Sequence, residues 1–125
     1  MSARTISEAW ILMWASTYLF CAFLKPDLFE GVAPLHGALM MLTIGALLIA
    51  GLVLTRRRKP IGRLVLFIMG IFESMGGVAS WTGIIGWNVP FADKAAFNVS
   101  MAFADILAAV FLLHRALETA DSSSS

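Results

Sequence analysis

The sequence predicts an all-α integral membrane protein, a bundle of four antiparallel, up-down transmembrane helices. Of its 125 residues, 59% are hydrophobic and 14% are charged, and the mean hydropathy is +0.84. Soluble domains are about 45–50% apolar and about 25% charged, so both fractions depart in the membrane direction. Four long apolar runs are separated by short segments that hold most of the charge. We therefore expect residues 1–125 to form a single membrane domain with four spans.

The first span is predicted over residues 9–24. Ser7 followed by Glu8 suits a helix start, because a carboxylate is favoured at the positive end of the helix dipole. Pro26 marks the end, since the residue before a proline avoids helical angles. The run is rich in bulky aromatic residues and ends without the small residues of a cleavage site, so we expect a retained span.

The second and third spans are predicted over residues 35–54 and 64–85. The second contains no charged residue. At ~1.5 Å per residue it extends about 30 Å, the thickness of the hydrocarbon core. The basic residues 56–59 and then Pro60 separate it from the third span.

The fourth span is predicted over residues 95–113, and residues 120–125 form a polar tail. It ends at His114 and Arg115, basic residues that suit a helix C-terminus. The excess of Lys and Arg lies before the first span, between the second and third spans and after the fourth span. The positive-inside rule therefore predicts that both termini are cytoplasmic. We expect the host to be a bacterial inner membrane.

Two acidic residues lie inside predicted spans, where ionisable groups are costly and usually functional. Counting from the cytoplasmic ends, Glu73 lies roughly 13 Å deep in the third span and Asp105 roughly 12 Å deep in the fourth. A short connection joins these two spans, so they are expected to be neighbours. The two acids should therefore lie at the same depth near the midplane.

Helical spacing predicts that both acids face the interior of the bundle. Glu73 shares a face with small and polar residues that include Ser80, while the opposite face is apolar. Asp105 shares a face with Asn98, seven residues before it. Tyr18 in the first span is a candidate hydroxyl partner. The predicted ion- or substrate-binding site thus consists of Glu73, Asp105, Asn98, Ser80 and Tyr18.

Three functions fit two inward acids that have no intramembrane Lys or Arg beside them. In the first, the pair holds a proton that it exchanges for a cation, as in a proton- or cation-coupled transporter. In the second, the chain is an accessory or assembly subunit whose acids pair with a basic residue of another protein. In the third, neutral acids lock the bundle by hydrogen bonds. Four short helices enclose little space, so a transporter is expected to be a homo-oligomer.

Other kinds of site find little support in the sequence. His36 and His114 fall at opposite ends of the predicted bundle, so they do not ligate one haem within a chain. Cys21 is the single cysteine, which leaves neither a disulfide nor a Cys-based metal motif. The basic residues 56–59 are explained as a topology signal rather than a nucleic-acid site. We predict no cofactor and find no enzymatic motif.

Overall fold

The computed structural model describes residues 2–118, and the predicted polar tail lies outside these residues. It contains four helices: α1 (Ala3–Leu24), α2 (Pro34–Arg56), α3 (Pro60–Trp81) and α4 (Lys94–Leu117). Each is long and apolar enough to cross a membrane. The prediction of an all-helical protein with four membrane-length helices is confirmed, and the chain is compatible with an integral multi-pass membrane protein.

The first helix begins earlier than Ser7, the residue expected to start it. Ser2 caps α1, and its Oγ accepts a hydrogen bond from the backbone N–H of Thr5 at 3.2 Å. Ser7 therefore lies inside the helix and is buried. The third helix also differs from its predicted span of residues 64–85. It ends at Trp81, because Gly83 takes a left-handed φ of 81° that breaks the helix.

The two connections at one end of the bundle bind each other. Residues 25–33 join α1 to α2, and residues 82–93 join α3 to α4. Backbone hydrogen bonds link them: the N–H of Glu30 donates to Gly86 O at 2.9 Å and that of Asn88 donates to Leu28 O at 2.6 Å. We call these two connected segments the loop end.

The opposite end, which we call the basic end, holds a network of ion pairs and hydrogen bonds to which all four helices contribute. Arg115 donates to Glu8 at 2.8 Å and lies 3.4 Å from Glu118, although its own side chain is only 4% exposed. Arg56 lies 3.6 Å from Glu8, and Arg63 donates to the backbone oxygen of Glu118. Glu8 therefore pairs with two arginines, whereas the sequence predicted only an interaction with the helix dipole.

Glycines allow α3 to approach α4 closely. A Cβ added at Gly70 would lie 2.8 Å from Leu113, and one added at Gly77 would lie 2.9 Å from Ile106. Both glycines are buried together with Glu73, whereas Met75 on the opposite face is 66% exposed. The predicted inward face of this helix is confirmed.

Large apolar side chains fill the half of the bundle between the basic end and Glu73. The innermost of these are Ile11, Leu48, Leu66 and Leu112, one from each helix and each at most 1% exposed. They belong to one continuous cluster of buried residues. This half of the bundle is therefore closely packed.

Two glycines of α3 should respond differently to alanine. A Cβ at Gly62 would lie 2.7 Å from the backbone carbon of Leu54, which has no freedom to move aside, whereas a Cβ at Gly76 would make an ordinary 3.5 Å contact. Gly62→Ala should lower the free energy of unfolding by about 1–3 kcal/mol, the usual cost of overpacking. Thermal unfolding in detergent measures this, with Gly76→Ala as the control. Equal midpoints for the two variants would contradict the close approach at Gly62.

Candidate functional site

A buried polar cluster lies midway along the bundle and joins three helices. The Tyr18 hydroxyl on α1 donates a hydrogen bond to Glu73 Oε1 on α3 at 2.8 Å. Glu73 is 1% exposed and Asp105 on α4 is 4% exposed. Because α1 lies diagonally across the bundle from α3, this hydrogen bond passes through the interior.

The carboxyl groups of Glu73 and Asp105 lie within interaction distance of each other. Gly76, one turn along α3 from Glu73, faces Asp105 Oδ2: a Cβ added there would lie 3.5 Å from it. The Asp105 carboxyl group therefore lies against the backbone of α3 one turn from Glu73. Two carboxyl groups this close are costly to ionise together, and a shared proton relieves the repulsion.

Trp14, which was not among the predicted site residues, completes the cluster. It is 7% exposed, and its ring meets that of Tyr18 edge-on at a centroid distance of 5.9 Å. The indole N–H lies near Glu73, but it makes no hydrogen bond of acceptable geometry within residues 2–118. The sequence could have indicated Trp14 by its spacing, because it lies four residues before Tyr18 and therefore on the same face of α1.

A cavity of about 300 Å³ extends from the acid pair to the loop end. Tyr18, Glu73 and Asp105 line it at the depth of the acids, and Glu30 lines it at the loop end. The other lining residues are mostly apolar or aromatic: Phe29, Val32, Met40, Ile44, Phe72, Gly76, Ile84, Ile85, Gly86 and Trp87. Three of the residues lining the cavity are acidic, and no basic residue of the described chain is among them.

Ser80 and Asn98, two of the five predicted site residues, lie outside this cluster. The Ser80 hydroxyl donates to the backbone oxygen of Asn98 at 2.9 Å and accepts from Trp87 Nε1 at 3.1 Å. Neither residue lines the cavity. They join α3 to α4 and hold the ring of Trp87, which does line it. The structure thus brings together Tyr18, Glu73 and Asp105.

The histidines are far from the cluster and from each other. His36 is exposed near the start of α2, and His114 is exposed near the end of α4. Within residues 2–118, no group of three or more His, Cys, Asp or Glu side chains is arranged to hold a metal ion. The acids beside the cavity are thus the chemically distinctive groups of this region.

Comparisons with models of protein families, with curated proteins and with solved structures found no match to this chain. The functional proposal below therefore rests on the geometry of the site itself.

Removing the Tyr18 hydroxyl should destabilise the protein. Tyr18→Phe leaves the buried Glu73 oxygen without its donor, and such a loss costs about 1–3 kcal/mol. The control is Thr17→Ala on the same helix, because that exposed hydroxyl bonds only the carbonyl of Met13 in its own helix. Thermal unfolding in detergent should show a clear drop for the first variant and little change for the second. A Tyr18→Phe protein as stable as Thr17→Ala would contradict the buried hydrogen bond.

Proposed function

We propose that the protein is a proton-coupled cation transporter in which Glu73 and Asp105 exchange a proton for a cation bound in the cavity. The observation that carries this proposal is the position of the acid pair. Two buried carboxyl groups lie side by side at the inner end of a cavity, and no basic residue of the described chain lines it. A site of this charge favours a positive ligand.

The exchange follows from the cost of burying charge. An uncompensated carboxylate is expensive in a low-dielectric interior, and two adjacent ones are more so. With the cavity empty, the pair retains a proton. When a cation binds, its charge replaces that of the proton, which is then released. Tyr18 stabilises the carboxylate that forms, because its hydroxyl already donates to Glu73.

The basic end supports an orientation with both termini in the cytoplasm. Residues 56–59 and Arg115 belong to that end, and cytoplasmic segments are enriched in Lys and Arg. The pairing of the two connections at the loop end supports antiparallel, up-down spans. In this orientation the cavity faces outward, and we propose a bacterial inner membrane as the host.

Transport also requires a path past the basic end. Leu48, Leu66 and Leu112 are packed there between the acids and the ion network. We take the present arrangement to be the state closed toward the cytoplasm. Alternating access would open this half while the loop end closes over the cavity.

A homo-oligomer is the assembly we propose for transport. Four helices enclose little interior space, and large apolar side chains such as Phe20, Val78 and Phe103 are exposed on the outer faces of three helices. These faces are suited to contact with lipid or with another copy of the chain.

The alternative proposal is an accessory subunit of a larger membrane complex. Its acids would pair with a basic residue of a partner protein. Glu73 and Asp105 are buried inside their own chain, so such a residue would have to enter through the cavity. We favour transport for this reason. Co-purification with another protein at fixed stoichiometry, without flux by the purified chain, would favour the subunit.

Flux in liposomes tests the transport proposal. An outward gradient of a cation that the protein transports should drive protons into vesicles that contain the wild-type protein. Glu73→Gln and Asp105→Asn should each reduce this movement to the level of empty vesicles, because an amide has no proton to exchange. Asp93→Asn is the matched control, since Asp93 is exposed at the start of α4. Unchanged flux in both acid variants would refute the proposal.

A further inference from the structure

We infer that the cation bound in the cavity is an organic ammonium with an apolar body about the size of one aromatic ring, and not a metal ion. This inference rests on the proposed function and names its class of substrate. It follows from the cavity's volume, from its uneven distribution of polar groups and from an unused hydrogen-bond donor beside the acids.

The volume and lining are those of a small-molecule pocket. Such pockets typically measure about 300–1,000 Å³ and are lined by apolar side chains with a few polar groups that orient the ligand. This cavity measures about 300 Å³, and between the acid pair and the loop end its wall includes Met40, Ile44 and Ile85. A metal ion that gives up its water requires several oxygen ligands around it, so it would be held at the acid pair and would leave this apolar stretch of the cavity unfilled.

Aromatic rings flank the apolar part of the cavity. Phe29 and Trp87 meet at a centroid distance of 5.1 Å, and Phe72 contributes a third lining ring from α3. Trp87 is held by the Ser80 hydroxyl through its N–H, so its orientation is fixed. Aromatic faces attract cations and also pack well against an apolar body.

The acid pair suits an ammonium group that carries hydrogens. Its N–H groups donate hydrogen bonds to carboxylate oxygens, and a buried carboxylate requires such donors. One monovalent ammonium enters as one proton leaves to water, so the net charge of the site does not change. The bound ligand therefore has its charged nitrogen at Glu73 and Asp105 and its apolar body toward the loop end.

Trp14 supplies an independent indication of this exchange. Its side chain is buried, and its N–H has no hydrogen-bond partner of acceptable geometry within residues 2–118, although it lies near Glu73. An unpaired buried donor is costly, and its presence beside the acids is explained if it finds an acceptor in another protonation state of the site. Once Glu73 has lost its proton, both of its oxygens accept hydrogen bonds. Trp14 and Tyr18 are then two donors for the ionised form.

Glu30 places a further negative charge where the cavity reaches the loop end. It pairs with Lys94 at 3.1 Å, and its side chain is nearly half exposed. Glu30 is among the residues that line the cavity, whereas Lys94 is not. An approaching cation thus passes an acidic residue paired with Lys94 before it reaches the buried acids.

Binding of phenethylamine to the full-length protein in lipid nanodiscs tests the inference. Calorimetry gives the affinity, and a pH indicator in weak buffer counts the protons released. Phenethyl alcohol has the ring without the charge, ethylamine has the charge without the ring, and potassium chloride supplies a metal ion. We expect phenethylamine to bind most tightly and to release a proton, and we expect Glu73→Gln to abolish that release.

A pair of phenylalanine variants tests the contribution of the wall. Phe72→Leu removes a ring that lines the cavity and should weaken phenethylamine binding by roughly fivefold, as expected for the loss of an aromatic packing contact. Phe23→Leu removes a ring that is 76% exposed on α1 and does not line the cavity, and it should leave the affinity unchanged. Equal effects of the two variants would contradict binding in this cavity.

The outcomes separate this inference from the proposed function. If ethylamine or potassium binds as well as phenethylamine while flux still depends on Glu73, the substrate class is wrong and the transporter stands. If phenethylamine binds, releases a proton and requires Glu73, but no cation moves across liposomes, the binding site stands and transport is wrong. Binding that is the same in wild type and Glu73→Gln overturns the inference.

Discussion

Two carboxyl groups are buried between α3 and α4, and the cost of burying them determines what must surround them. Glu73 and Asp105 are both less than 5% exposed and lie beside each other. Such a pair is tolerated only where donors reach it and where one proton is retained. Tyr18 supplies a hydrogen bond from across the bundle, and Asp105 lies against α3 at Gly76, one turn from Glu73.

The two halves of the bundle on either side of the acids differ in packing. Toward the basic end, leucine side chains fill the interior, and Arg115 and Glu8 close it with a short ion pair. Removing one member of such a buried pair is far more costly than the pair's net contribution to stability. Toward the loop end, the paired connections enclose a cavity of about 300 Å³. The acid pair is therefore open to the cavity on the side of the loop end and closed off by packed side chains on the side of the basic end.

The helices and the inward face of α3 were predictable from the sequence because both depend on local periodicity. Glu73 shares its face with glycine and serine, and that pattern indicates close helix packing whatever the partner. Depth counting put Asp105 at the same level, since two antiparallel spans joined by a short connection begin together. Tyr18 was one possible hydroxyl partner, and the structure selects it.

Features that depend on contacts between distant segments were not predictable. Glu8 and Arg115 are 107 positions apart, and nothing local indicates that they meet. The cavity exists because residues 25–33 and 82–93 bind each other, which no periodicity reports. Ser80 has the correct face for the acid cluster, but it lies two turns from Glu73 and bonds Trp87 and the Asn98 backbone instead. Facing inward does not specify which neighbour a side chain meets.

Infrared difference spectroscopy detects proton exchange at Glu73 and Asp105, because a protonated acid and a carboxylate absorb at different frequencies. On addition of phenethylamine, the wild-type protein should lose a protonated-carboxyl band and gain a carboxylate band. That change should be absent from Glu73→Gln and intact in Asp93→Asn. A wild-type spectrum with no protonated-carboxyl band, or with a band that the cation does not alter, would contradict proton exchange at the acid pair.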